Sequence, residues 1–160
     1  MPRIGITGHS SLSETTAQRV AEELRTALST YAADELIGLT CLARGADQIF
    51  ARVVVELGGS LEVVLPAADY RERKVKPDNA AEFDALIAQA TAVHTMPLPE
   101  SNREAYLAAS EHILAEADEI VAVWDGAPPD GKGGTGDVVR AAREQGTPVT
   151  VVWPEGATRG

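Results

Sequence analysis

The chain has 160 residues, 44% of them hydrophobic and only 4% aromatic, and its 24 acidic side chains against 14 Lys and Arg give a formal net charge of −10. That length suits one domain with one sizeable core, built here mostly from Ala, Val, Leu and Ile. The acidity argues against a general nucleic-acid binder, which needs basic surface to release counterions from phosphates, and Cys41, the single cysteine, excludes an intrachain disulfide framework or a cysteine zinc site.

Met1-Pro2-Arg3-Ile4-Gly5 lacks the apolar core of a signal peptide, and no run of about 18 apolar residues occurs. A soluble, cytoplasmic protein without a membrane partner is expected. Arg3–Gly8 reads as a first strand, leading into His9-Ser10-Ser11-Leu12. Ser11 and Glu14 have capping-box spacing for a helix to about Ala32, with Val20, Leu24 and Leu28 as its core face. Glu35–Cys41 is a second strand. The loop Leu42–Asp47 then enters a helix carrying Ile49, Val53 and Leu57, which Gly58-Gly59 stops. Leu61–Leu65 is a third strand, ended by Pro66 and followed by a polar segment from Ala67 to Asp78.

Asn79 with Glu82 opens a helix bearing Phe83, Leu86, Ile87 and Ala90, and Ala92–Met96 is a weaker strand. Ser101 with Glu104 opens a helix carrying Ala105, Ala109, Ile113 and Ala117. Ile120–Trp124 is a nearly continuous apolar run, the pattern of a parallel strand buried on both faces. A glycine-rich loop and a helix over about Thr135–Gln145 follow, then a last strand, Val149–Trp153. Strands and helices alternate throughout, so a mostly parallel sheet covered by helices on both faces is expected. Residues 1–154 form a single domain in this reading, and residues 155–160 a loose tail.

Ligands of such sheets sit at the carboxyl ends of the strands, where strand order reverses. Three loops with ligand chemistry leave those ends: Thr7-Gly8-His9-Ser10-Ser11, Ala43-Arg44-Gly45-Ala46-Asp47, and Asp125 to Asp137. In the last, Gly133 and Gly134 let the backbone approach an anion, and unpaired amides at the helix start favour a phosphate. Thr135 either caps that helix or donates to a phosphate oxygen, and Gly136 follows it. Arg44 suits paired bonds to phosphate, or a surface ion pair with Asp47. His9 either contacts a base or phosphate or is a solvated loop residue; Asp125 either holds ribose hydroxyls or shapes a turn. Trp124 and Trp153 suit core packing better than base stacking. Arg71, Arg73, Lys74 and Lys76 form a basic cluster that reads either as a lid over the site or as a solvated loop.

These motifs, Thr7-Gly8-His9-Ser10, Ala43-Arg44-Gly45-Ala46-Asp47, Ala122-Val123-Trp124-Asp125-Gly126 and Gly133-Gly134-Thr135-Gly136-Asp137, resemble the SLOG group of Rossmann-like domains. Its relatives are the DNA-processing protein DprA and the LOG phosphoribohydrolases. The resemblance covers nearly the whole chain. It implies a Rossmann-like three-layer sandwich and a nucleotide or nucleotide-derived ligand. By it, Gly8, His9 and Ser10 line the first loop, Arg44 and Gly45 face the ligand from the second, and Gly133, Gly134 and Thr135 hold its phosphate.

Gly126–Lys132 has Walker A spacing, but Gly133 stands where Ser or Thr must bind magnesium, and Pro128-Pro129 remove amides from the loop. ATPase activity is rejected. Gly5 and Gly8 lack the third glycine of a dinucleotide fingerprint, and His9, His94 and His112 have no metal-ligand spacing with one another. No cofactor or metal is expected. LOG enzymes carry a glutamate three residues after their Gly-Thr threonine; here that position is Val138, and Asp137 sits one residue early. One residue turns a helical side chain by about 100°. A nucleotide-binding or sensing module is therefore expected ahead of a hydrolase of nucleoside monophosphates that uses Asp137 or Asp125 as its catalytic carboxylate. Homo-oligomers are plausible for such a sheet.

Overall fold

The computed structural model describes residues 2–127 and 134–159. Among these residues six strands form one sheet: β1 (Arg3–Gly8), β2 (Ile37–Thr40), β3 (Ser60–Leu65), β4 (Ala92–Thr95), β5 (Glu119–Val123) and β6 (Val149–Val152). Their order is β4-β3-β2-β1-β5-β6, and every neighbouring pair is parallel. The helices are α1 (Glu14–Leu28), α2 (Ala46–Glu56), α3 (Tyr70–Lys74), α4 (Pro77–Gln89), α5 (Arg103–Glu116) and α6 (Thr135–Glu144).

Right-handed crossovers decide which face each helix covers. The chain steps outward from β1 to β4, so α1, α2 and α4 lie on one face. It then returns past β1 to β5 and β6, which puts α5 and α6 on the other. The packing follows. Ile4, Ile6, Val121 and Val123 meet Val20, Leu24, Phe50 and Val53 of α1 and α2. Leu39, Val64 and Ile120 meet Ala109, Ile113 and Ala142 of α5 and α6. Phe83 and Leu86 of α4 close the first face over Leu61 and Val63. The expected three-layer Rossmann-like sandwich is the observed fold, with its sheet parallel throughout.

Helix starts differ from the sequence reading where several polar residues compete for the cap. Ser13, not Ser11, caps α1, accepting from Thr16 N–H at 3.2 Å. Asn102, not Ser101, caps α5, accepting from Ala105 N–H at 3.0 Å. Ser101 instead donates its hydroxyl to Asp69 at 2.7 Å. Helix α4 starts at Pro77, whose missing N–H costs nothing at a first turn. Inside the polar segment lies α3, one short turn whose buried Tyr70 packs on Phe83. Beyond Pro154 the described residues are bonded to α1 and its cap. Thr158 N–H donates to Thr16 Oγ1 at 2.8 Å, Ser13 N–H donates to Thr158 O at 3.2 Å, and Arg19 holds Glu155 O at 2.8 Å. Of these, the bond from Ser13 N–H gives a partner to the backbone at the α1 cap, which local composition does not reveal. Among the described residues no helix is long and apolar enough to cross a membrane.

Candidate functional site

Strand order reverses between β1 and β5, whose last residues, Gly8 and Val123, stand in register. Helices diverge to opposite faces there and leave a crevice beyond the strand ends. The crevice is a cavity of about 720 Å³. Its floor is Ile6, Thr7 and Gly8. Ser10 of the first loop, Cys41, Ala43 and Asp47 of the second, and Gly134 and Thr135 at the start of α6 contribute to its sides. Arg103, Tyr106, Leu107 and Ser110 of α5 complete the wall.

The first two loops are locked to each other and to β5. His9 N–H donates to Val123 O at 3.1 Å, and Ala46 N–H donates to His9 O at 3.2 Å. Gly45 is in the left-handed region with φ +91°, and a Cβ there would lie 2.5 Å from Ser10 O and 2.7 Å from His9 O. A Cβ on Gly8 would lie 2.5 Å from Ala46 Cβ. Both glycines are thus required by the close approach of loop, strand and helix. The His9 ring is buried, edge-on to Trp153 with centroids 5.6 Å apart. Its Nε2 accepts Asp125 N–H at 3.2 Å. Burial first, and then Arg159, hold its pKa below the usual histidine value. A neutral ring accepting at Nε2 carries its proton on Nδ1. His9 therefore braces the end of β5 and is not the solvated loop residue that was one of its two readings.

Gly134 stands at the N-cap of α6 and provides no side-chain cap. The first amides of a helix have no intrahelical acceptor, so the Thr135 and Gly136 N–H groups stand at the positive end of α6. They border a smaller hollow of about 280 Å³ that shares Gly8, Ser10, Gly134 and Thr135 with the main cavity. Trp124, Asp125, Asp137 and, from the tail, Arg159 line this hollow. Gly133, assigned to the phosphate by resemblance, lies outside the described residues, as do Gly131 and Lys132. Asp125 takes the turn role: it accepts Ala127 N–H at 2.9 Å, and that bond leads the causes holding its pKa below the usual carboxylate value. Arg159 reaches it at 3.9 Å. Asp137 meets Arg140 at 3.4 Å. Trp124 is half-buried rather than in the core; its Nε1–H donates to Ala127 O at 3.1 Å, and Arg143 lies over its ring at 5.9 Å.

Arg44 does not pair with Asp47. Its Nη2 donates to Asp78 of α4 at 2.6 Å, and it lines a separate hollow beside the main cavity. Asp47 turns inward, 8% exposed, and accepts Ala43 N–H at 3.2 Å. Burial raises its pKa to about 7, against the opposing pull of the Ala43 and Cys41 amides. Burial likewise pushes the Cys41 thiol and the Tyr70 hydroxyl well above their usual ranges. A thiol so raised is inert as a nucleophile. Asp47 is thus the acidic side chain among the described residues that line the main cavity, whereas Asp125 and Asp137 border the smaller hollow.

Sequence reading missed the α5 wall, Tyr70 and Arg159. On α5, Arg103 with Leu107 and Tyr106 with Ser110 are four apart, beside the Ala105–Ala109–Ile113 stripe. That spacing places them on the face next to the core one. The aromatic and apolar members, Tyr106 and Leu107, are exposed, and they are the signal that was available. Among the described residues no cluster of His, Cys, Asp and Glu has metal-binding geometry.

No protein-family model and no curated protein sequence matches the chain. Solved structures do. DNA processing protein A (DprA) from Streptococcus pneumoniae aligns with a TM-score of 0.68 at 16% identity, over 94% of this chain and 50% of that one. The molybdenum cofactor carrier protein from Chlamydomonas reinhardtii aligns with a TM-score of 0.59 at 20% identity, over 94% of this chain and 75% of that one. TM1055, a structural-genomics target, aligns with a TM-score of 0.59 at 18% identity, over 93% of this chain and 72% of that one. These likenesses establish a shared Rossmann-like fold, and the chain spans only half the length of the DprA chain it matches. DprA is also among the proteins that the loop motifs resemble.

Proposed function

We propose that the chain is a binding or sensing module for a nucleotide or nucleotide-derived phosphorylated molecule. The observation that carries this reading is the roomy cavity at the β1–β5 reversal, which opens directly onto the uncapped start of α6. The phosphate sits against the Thr135 and Gly136 amides and the Thr135 hydroxyl, with Arg159 as the nearby cation. The nucleoside lies in the main cavity between the first two loops and the Tyr106 side of α5. Backbone amides bind an anion without adding formal charge, which reconciles an anionic ligand with a chain of net charge −10. Structural neighbours support the general class: one is, by its name, a cofactor carrier.

Binding is favoured over glycosidic cleavage because Asp125 and Asp137 line the phosphate hollow and are tied to Ala127 N–H and Arg140. A catalytic carboxylate must stand beside the sugar. The test is calorimetric titration with the four ribonucleoside 5′-monophosphates, with chromatography for free base. Thr135→Val removes the hydroxyl alone. Thr135→Pro also removes the amide, at a first helical position that tolerates proline, after a Gly134 already extended at φ −79° and ψ −173°. One lost hydrogen bond to a charged group is worth about 1.5–3 kcal/mol, so each step weakens binding by about tenfold or more. Unchanged affinity in both variants refutes the phosphate placement. Free base that is released by the wild type and lost in Asp137→Ala replaces binding with hydrolysis.

A further inference from the structure

The basic cluster after β3 divides in two. Arg71 forms a two-bonded pair with Asp84, at 2.7 and 2.6 Å, and Arg73 lies 3.6 Å from Asp69. These two arginines are matched by neighbouring carboxylates. Lys74 and Lys76 instead line a hollow of about 320 Å³, together with Arg44 from the second loop. Among the described residues no carboxylate lines this hollow; the adjacent Asp78 is bonded by Arg44 and influenced by Lys76. On a chain of net charge −10 such a local excess is unusual. The hollow also has a fixed floor. Asn79, which lines it, exchanges two side-chain hydrogen bonds of 2.9 Å with the buried Gln48. The hollow adjoins the nucleotide cavity: Tyr70 borders both, and Ser10 borders these two and the phosphate hollow at α6.

From this juxtaposition we infer that the ligand carries a second, separate phosphoryl group, held by Arg44, Lys74 and Lys76 at the end of the cavity away from α6. The inference rests on the nucleotide reading above and narrows its ligand class to nucleotides with two anionic ends. A nucleoside 3′,5′-bisphosphate and a 5′-phosphorylated dinucleotide both have that chemistry. A simple 5′-monophosphate has one phosphate and leaves the lysines without their anion.

The test is calorimetry on the full chain with three probe sets: the four ribonucleoside 5′-monophosphates, their 3′,5′-bisphosphates, and 5′-phosphorylated dinucleotides. Wild type is compared with Lys74→Ala/Lys76→Ala and with Arg71→Ala. Lys76 precedes α4 without a side-chain cap bond, and both lysines are exposed, so the double variant keeps its fold. Arg71→Ala removes a charge from the same cluster but not from the hollow. The expected result is at least a tenfold preference for one of the doubly phosphorylated sets over the matching monophosphate. That preference collapses in the double variant, survives in Arg71→Ala, and leaves monophosphate affinity unmoved throughout. The set that shows it tells bisphosphate from dinucleotide. No preference, or one that survives in the double variant, overturns the second site while monophosphate binding stands. Failure of every probe to bind overturns the nucleotide reading and this inference with it.

Discussion

Asp47→Asn tests the burial of the acidic side chain at the cavity wall. Asp47 is 8% exposed in the first turn of α2, and burial raises its pKa from the ordinary 3.8 to about 7. The native state therefore holds a proton that the unfolded chain releases, and stability falls as pH rises from about 4 to about 7. The full shift corresponds to about 4 kcal/mol, of which more than half accrues between pH 5 and pH 8. Asparagine keeps an acceptor for Ala43 N–H and removes the proton equilibrium. Urea unfolding of both proteins across that range isolates the effect, because every other titrating group cancels in the difference. The wild type is expected to lose about 3 kcal/mol relative to Asp47→Asn on going from pH 5 to pH 8. A flat difference curve would mean that Asp47 ionises as an ordinary exposed carboxylate, and it would refute the burial assigned to its side chain.

Gly45→Ala places a Cβ 2.5 Å from Ser10 O at φ +91°; a loss of about 2 kcal/mol or more in urea unfolding is expected, and a neutral result contradicts the loop lock. His9, with its pKa held below 6.5, contributes in the opposite direction to Asp47. Unfolded His9 takes up a proton first, so stability drops as pH falls below 6.5, and a His9 ring resonance titrating above 6.5 counts against its buried neutral state. Phe50→Ala in the core of α2, fully buried, costs about 3–5 kcal/mol in the same assay. Arg25→Ala, which breaks an exposed pair with Glu56, leaves the urea midpoint close to that of wild type, and a large downward shift would contradict a screened surface pair.

The fold was legible because apolar periodicity and alternation act over whole segments. Ile120–Trp124 announces a buried parallel strand, and Val20, Leu24 and Leu28 announce a helix face. Helix starts were less legible, since Ser11 and Ser13, or Ser101 and Asn102, are chemically equivalent until tertiary contacts choose between them. The three loops of the candidate site were legible as loops at one edge. The partners of their side chains were not. Arg44 finds Asp78, thirty-four positions away, and His9 accepts from Asp125, one hundred and sixteen positions away. The α5 wall escaped because its Ala105, Ala109 and Ile113 stripe already accounts for the helix as a core element. The bonds from the tail to Thr16 and Ser13 leave no mark on local composition.

The backbone lock between the first two loops limits how this architecture can change its preferences. At Gly45 the neighbouring main chain leaves no room for a side chain, and at Gly8 the adjoining helix and strand do the same. Neither corner can be reshaped by single substitutions at these glycines without disturbing the floor itself. Tyr106, Leu107 and Ser110 on α5 and Lys74 at the end of α3 carry no such obligation. Divergence toward new ligands, in nature or by directed selection, is thus channelled into two helical margins while the corner between them stays constant.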